Sequence, residues 1–175
     1  MSWQIRAERA EDGPLVEQLL AESFGPGRFA KSAFRLREGV KAVASLSFVA
    51  IEDGELRGSV RFWPVLVGKT SALLLGPLAV KQSQRGRGMG IDLMRRGIAE
   101  AKMAGWEAII LVGDEPYYSR VGFSRLARRL RFPGPVDPAR VLGLDLKDGT
   151  LAGLSGEVRR GKLEEPICAD GAGTA

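Results

Sequence analysis

Leu73-Leu74-Leu75-Gly76-Pro77-Leu78-Ala79-Val80, followed by Arg85-Gly86-Arg87-Gly88-Met89-Gly90, sets an apolar run before a cationic, glycine-rich loop. Beyond the loop the pattern turns helical, with Ile91, Met94, Ile98 and Ala101 on one face. Gly97, Ala101 and Ala104 are small, so this helix can lie close on a sheet. Asp92, Arg96 and Glu100 fall on another face at i, i+4 spacing and can pair in solvent. Gly105 stops the helix, and Ala108-Ile109-Ile110-Leu111-Val112 follows as a short continuous apolar run. Such a run is the pattern of a strand buried on both faces. Strand, loop, helix and strand make a βαβ unit with parallel strands, and the predicted class is mixed α/β.

The loop suits an anion. The first turn of a helix carries unpaired N–H groups and the positive end of its dipole. Gly86, Gly88 and Gly90 let backbone approach a pyrophosphate, and Arg85 and Arg87 add formal positive charge. It is no P-loop, because Ile91 and Asp92 stand where a Lys and a Mg-binding hydroxyl would be needed. Nor is it a dinucleotide fingerprint, since the glycines do not run Gly-x-Gly-x-x-Gly. Upstream, Pro77 removes a ladder donor from what reads as a central strand, so Gly76-Pro77 predicts a bulge or local splaying. Downstream, in Tyr117-Tyr118-Ser119-Arg120-Val121-Gly122-Phe123, Asp114 can cap a short helix, Pro116 suits its first turn and Gly122 its end.

Arg85, Gly88 and Gly90 fit the pattern Arg-x-x-Gly-x-Gly, and Tyr118 begins Tyr-x-x-x-Gly-Phe. On these motifs, which span residues 71–123, the chain resembles the GNAT superfamily of acetyl-CoA-dependent N-acetyltransferases, in particular its small uncharacterised bacterial members. The resemblance implies a central mixed, largely antiparallel sheet with one parallel βαβ unit, splayed where the coenzyme binds. It implies that Arg85, Gly86, Arg87, Gly88, Met89 and Gly90 grip the pyrophosphate of coenzyme A, and that backbone at Leu78, Ala79 and Val80 holds the pantetheine. It assigns Tyr118 as general acid and sets Tyr117 among the coenzyme contacts.

The chain has 175 residues, 45% of them hydrophobic, enough for one substantial core; a single domain is expected over 1–164 with a loose tail at 165–175. No run of about 20 apolar residues predicts a membrane span, and Met1-Ser2-Trp3-Gln4-Ile5-Arg6 lacks a signal-peptide core. The one cysteine, Cys168, cannot form an internal disulfide, so a reduced, cytoplasmic setting is expected. A net charge of +5 suits steering of an anionic coenzyme, and no basic stripe alternates with aromatics, so no nucleic-acid partner is expected.

Elsewhere Trp3–Ala7 reads as a first strand, and Leu15, Val16, Leu19, Leu20 and Phe24 as a helical stripe after Asp12 and Pro14. Residues 28–38 predict a second, basic helix, and 46–51 with 56–67 a hairpin about Asp53-Gly54. Further strands are expected near 125–132, 141–146 and 150–158, and dimerisation, if any, through these C-terminal strands.

Histidine is absent, which excludes a Ser-His-Asp triad, a histidine base and any histidine-ligated metal; with one tail cysteine, no metal is expected. The chemistry left is direct attack of an amine on a thioester, both held in one cleft. N–H groups near Leu78 can polarise the carbonyl, and the Tyr118 phenol can protonate the departing thiolate. The strand from Ser71 to Val80 carries no carboxylate, so no base is assigned; Glu22, Asp114 and Glu115 read better as caps or surface charges. Phe24, Phe29, Arg61, Phe34, Phe62 and Trp63 are candidates for an acceptor pocket taking a small-molecule amine or a protein amine. Two other readings stay open: an acyl-CoA-binding sensor without turnover, and a nucleotide- or nucleic-acid-binding module.

Overall fold

The computed structural model describes residues 2–126 and 129–161, with Phe29 and Ala30 as backbone only. The tail expected at 165–175, with Cys168, lies outside the described residues. Nine strands are described: β1 (Gln4–Ala7), β2 (Phe48–Glu52), β3 (Glu55–Val67), β4 (Thr70–Val80), β5 (Ala108–Val112), β6 (Ser124–Arg125), β7 (Leu130–Arg131), β8 (Val141–Asp145) and β9 (Gly156–Arg160). They lie in the order β1-β2-β3-β4-β5-β8-β6, with β9 paired to β3 and β7. The helices are α1 (Gly13–Phe24), α2 (Ser32–Arg35), α3 (Met89–Met103) and α4 (Glu115–Tyr118). None is long and apolar enough to cross a membrane.

Period-two alternation explains why the central strands are apolar throughout. Leu73 and Leu75 on β4, with Ile109 and Leu111 on β5, pack into the core under α3. Ala72 and Leu74, with Ala108 and Ile110, face the opposite core with Leu36 and Val65. Both sets are buried, as a sheet covered on two sides requires. The predicted α3 face is confirmed for Ile91, Met94 and Ala101, joined by Leu93. A methyl group on Gly97 would come within 2.3 Å of the Phe62 ring, so the small residue lets α3 settle on β3. Arg96 pairs with Glu100 at 3.2 Å, whereas the Asp92 carboxylate accepts from the Trp3 indole.

The hairpin turns at Asp53 and Gly54, both at positive φ (53° and 76°), as a two-residue hairpin turn demands. Three expectations change. The basic helix of 28–38 is a 3-10 turn at Pro26–Ala30 and the four-residue α2, separated at Lys31, whose backbone is extended (φ −71°, ψ 141°). The strand near 125–132 is two short pieces, β6 and β7. The segment 150–158 opens as a 3-10 turn at Leu151–Gly153 before β9 pairs with the end of β3.

The feature that positions the site is on β4. Val60 of β3 pairs with Leu78 and Phe62 with Leu75, so Gly76 and Pro77 oppose the single Arg61: a bulge where proline was expected to force one. The Gly76–Pro77 peptide is cis, and the Trp63 indole N–H donates to the Gly76 carbonyl. On its other edge β4 pairs in parallel with β5 only at Leu73–Ile109 and Leu74–Ile110. Beyond Leu74 the two strands part.

Candidate active site

The parting of β4 from β5 opens into a cavity of about 400 Å³. Leu75, Gly76, Pro77 and Leu78 wall it on one side, and Val112, Gly113, Tyr117 and Tyr118 on the other. It reaches α1 through Glu17, Leu20 and Phe24, and α2 with the turn after it through Phe34 and Arg37. Backbone of β4 from Leu75 to Val80 therefore keeps one edge unpaired by β5.

At the far end of β4 the loop runs through a 3-10 turn (Gln82–Gln84) into α3, and Gly88 occupies the position before its first residue with φ 91°. An L side chain at that φ costs roughly 1–2 kcal/mol, so glycine is favoured at this entry to the helix. The first turn, Met89 to Ile91, leaves its N–H groups facing the loop. Met89 contributes only backbone there, because its side chain is buried in the core beneath α3. A methyl group on Gly90 would lie 2.3 Å from the Tyr117 hydroxyl, so Tyr117 is seated directly against this turn.

The two loop arginines behave differently. Arg85 is exposed, and its Nε donates to the Val80 carbonyl at 3.4 Å, which holds it beside the end of β4. Arg87 does not present free charge to the loop. Its guanidinium grips both oxygens of Glu52 at 2.8 and 2.9 Å, donates to Gln84 and lies 5.0 Å over the Trp3 ring. Arg57 approaches the same carboxylate at 3.4 Å. Arg87 thus ties the loop to the end of β2, an ion pair between residues too distant in sequence to foresee.

The hydrogen bond from Arg87 holds the Glu52 carboxyl below the ordinary carboxylate value, against the opposing effect of burial. A depressed pKa stabilises the fold above the unfolded value of about 4.5 and loses that contribution as pH falls through the folded value. Glu52→Gln is expected to lower the melting temperature at pH 7 by a few degrees, with the gap to wild type closing as melts move from pH 5 to pH 3. A gap independent of pH would show that the pair does not stabilise through charge.

Tyr118 follows from the register of α4. Asp114 stands at the cap position, but its carboxylate turns to Arg140 at 3.4 Å rather than capping the helix. Gly113 has no side chain, and a Cβ there would lie 2.3 Å from the Tyr118 ring. The ring meets Tyr117 and Phe123 edge-on, at 5.1 and 6.2 Å between centroids. Burial, then the neighbouring Tyr117 and Asp114, push the Tyr118 phenol up to about 12, so it carries its proton at neutral pH. Burial likewise raises Tyr117.

Of the weighed carboxylates, Glu22 accepts from Gln18 on the surface and Glu115 pairs with Arg125 at 2.6 Å, both outside the cavity wall. Asp114 does line it. Glu17 also lines it and was not anticipated; it is bound by Arg61 at 3.1 Å, while Glu8 holds the same guanidinium by two bonds of 2.9 Å. Phe24, Phe34, Arg61 and Trp63 line the cavity as expected, but Phe62 is fully buried against α3. The Phe29 side chain lies outside what is described. Among the described residues, no three His, Cys, Asp or Glu side chains cluster as a metal site.

A family model for the acetyltransferase (GNAT) domain matches residues 44–125. The uncharacterized N-acetyltransferase YhbS of Escherichia coli K12 is 35% identical over 160 residues, covering 88% of this chain and 93% of its own. The chain belongs to the GNAT acetyltransferase family. The crystal structure of Escherichia coli YhbS in complex with CoA superposes with a TM-score of 0.75 at 32% identity, covering 91% of this chain and 89% of that one. A GNAT family acetyltransferase from Brucella melitensis in complex with acetyl-CoA gives 0.61 at 32% identity, over 82% and 96%. The mixed, splayed sheet of this chain is the GNAT fold, and Leu78 and Tyr117 of the cavity lining lie against Gly90 of the glycine-rich helix entry.

Proposed function

We propose that the protein moves the acetyl group of acetyl-CoA onto a primary amine by direct attack, both reactants being bound at once. The observation that carries this reading is the parting of β4 from β5, which opens the cavity beside Tyr118 along the unpaired edge of β4, with Leu78 and Tyr117 of its lining against Gly90 in the first turn of α3. The pyrophosphate takes the N–H groups of Gly86 to Gly90 and the Arg85 guanidinium. The pantetheine pairs along Leu78, Ala79 and Val80, as an added strand would. Tyr117 packs at the junction of the two, and Arg87 positions the loop rather than the phosphates.

With the thioester at the bulge, its carbonyl oxygen meets β4 backbone donors. The amine nitrogen attacks the carbonyl carbon, a C–N bond forms, the C–S bond breaks, and Tyr118 gives its proton to the sulfur. The proton lost by the amine restores the phenol, so no net proton is left on the protein. Glu17 and Asp114 are both engaged with arginines, so the amine arrives neutral or sheds its proton through water. Holding two reactants in one geometry supplies on the order of 7 kcal/mol or more in favourable cases.

All groups named belong to one chain, and the reading invokes no metal, nucleic acid, membrane or second copy. We place the reaction in the cytoplasm, in keeping with a single cysteine in 175 residues. The test is release of the CoA thiol in the presence of a panel of small amines and peptides. Amine-dependent release is expected; tight acetyl-CoA binding without release for any amine would favour the sensor reading instead.

A further inference from the structure

The cavity is lined by five cationic side chains, Arg28, Lys31, Arg37, Arg61 and Arg140, against two carboxylates, Glu17 and Asp114. Most of this charge is spoken for. Arg61 is held by Glu8 and Glu17, and Arg140 by Asp114. Lys31 is exposed, 5.1 Å over the Phe24 ring, and Arg28 donates to the Gly25 carbonyl at 2.7 Å.

Arg37 is different. Like the exposed Lys31 it has no carboxylate partner among the described residues, but unlike Lys31 it is half-buried. Its Nε donates to the Ala33 carbonyl at 3.3 Å, and its guanidinium carbon lies 5.6 Å from the Phe34 ring and 5.9 Å from the Trp63 ring. Burial, and then Arg61, push it down to about 10, which still leaves it charged at neutral pH. Glu17 acts on it only from a distance, since Arg61 holds that carboxylate. A half-buried guanidinium beside two aromatic rings keeps N–H edges for a planar, two-oxygen acceptor.

Resting on the acetyl-transfer reading above, we infer that the acceptor amine carries a carboxylate, and that Arg37 receives it. Trp63 sets the spacing: its indole N–H is bonded to the Gly76 carbonyl at the bulge, while its ring faces Arg37. An acceptor with its amine beside the bulge and its carboxylate at Arg37 therefore lies along the Trp63 side chain. One half-buried guanidinium matches a monoanion; a phosphate dianion would call for a second cation beside it, and Arg61 is engaged by Glu8 and Glu17 while Lys31 sits exposed on Phe24.

The experiment compares matched amines in the full-length protein: β-alanine with its amide, leucine with leucinamide, 4-aminobutyrate with butylamine, and phosphoethanolamine. A kcat/KM at least tenfold higher for the carboxylate member is expected, with the ratio falling towards one in Arg37→Gln and partly kept in Arg37→Lys. Titration with CoA reports whether each variant is folded, and Arg37→Met, which keeps the buried stem, is the second variant if Arg37→Gln is not. If no amine is acetylated, the transfer reading fails on its own, and acceptor binding by calorimetry with CoA present decides this inference. Preferential binding of the carboxylates that depends on Arg37 supports it. Equal affinity or turnover within pairs, a preference that survives Arg37→Gln, or a preference for phosphoethanolamine overturns it.

Discussion

Tyr118→Phe is expected to lower amine-dependent turnover roughly 10²- to 10⁴-fold, the range for losing a positioned general acid, while the Kd for CoA stays within about twofold. The ring itself is retained, so its edge contacts with Tyr117 and Phe123 and its place over Gly113 survive. Only the hydroxyl, and with it the transferable proton, is lost. With the phenol pushed up to about 12, Tyr118 keeps that proton from pH 6 to 10, so no fall in rate from its ionisation is expected there. A rise in rate across that interval instead reports the acceptor amine losing its proton, and it should persist, scaled down, in the variant. Turnover within a few-fold of wild type would remove Tyr118 from the reaction and leave it as packing.

The second large effect is expected at the helix entry. Gly88→Asp places a side chain at φ 91° and puts a carboxylate where the pyrophosphate would sit. Aspartate tolerates that backbone better than most residues, so the helix should still form. Its carboxylate would take the first-turn N–H groups for itself and repel the coenzyme. An affinity loss of about 100-fold, close to 2.7 kcal/mol, is expected. Since a ligand that binds only the folded state raises the melting temperature with its concentration, CoA should stabilise the wild type and leave Gly88→Asp nearly unmoved. Equal stabilisation of both would place the phosphates elsewhere.

What could be read from the sequence was what is local. The βαβ unit announces itself because β4 and β5 are continuous apolar runs, and because glycines punctuate the entry and exit of α3 within a few residues. Pro77 marked the bulge, since a missing ladder donor is visible without any partner. Tyr118 is singled out by the resemblance, through the Tyr-x-x-x-Gly-Phe element after β5; its own position reads equally as packing.

Arg37 could not be found the same way. The short α2 before it is held by residues far along the chain: Ser32 donates to the Pro135 carbonyl at 2.8 Å, Arg35 to that of Pro133 at 3.1 Å, and Arg160 to that of Arg35 at 3.0 Å. Nothing within residues 28–38 dictates those contacts, so the segment reads as one longer, basic helix. Glu17 was likewise hidden among the polar positions of α1. Arg87 shows the same limit: its charge is legible in the sequence, but the Glu52 that pairs with it sits on another strand.

The most direct measurement is a calorimetric titration of acetyl-CoA into the intact protein, beside a phosphate-bearing competitor that lacks the pantetheine arm. One site with a Kd in the micromolar range is expected, bound far more tightly than the competitor because the arm lies along the edge that β4 withholds from β5. No binding, or equal affinity for the two, would contradict coenzyme binding in the parted strands and with it the acetyltransferase reading of this site.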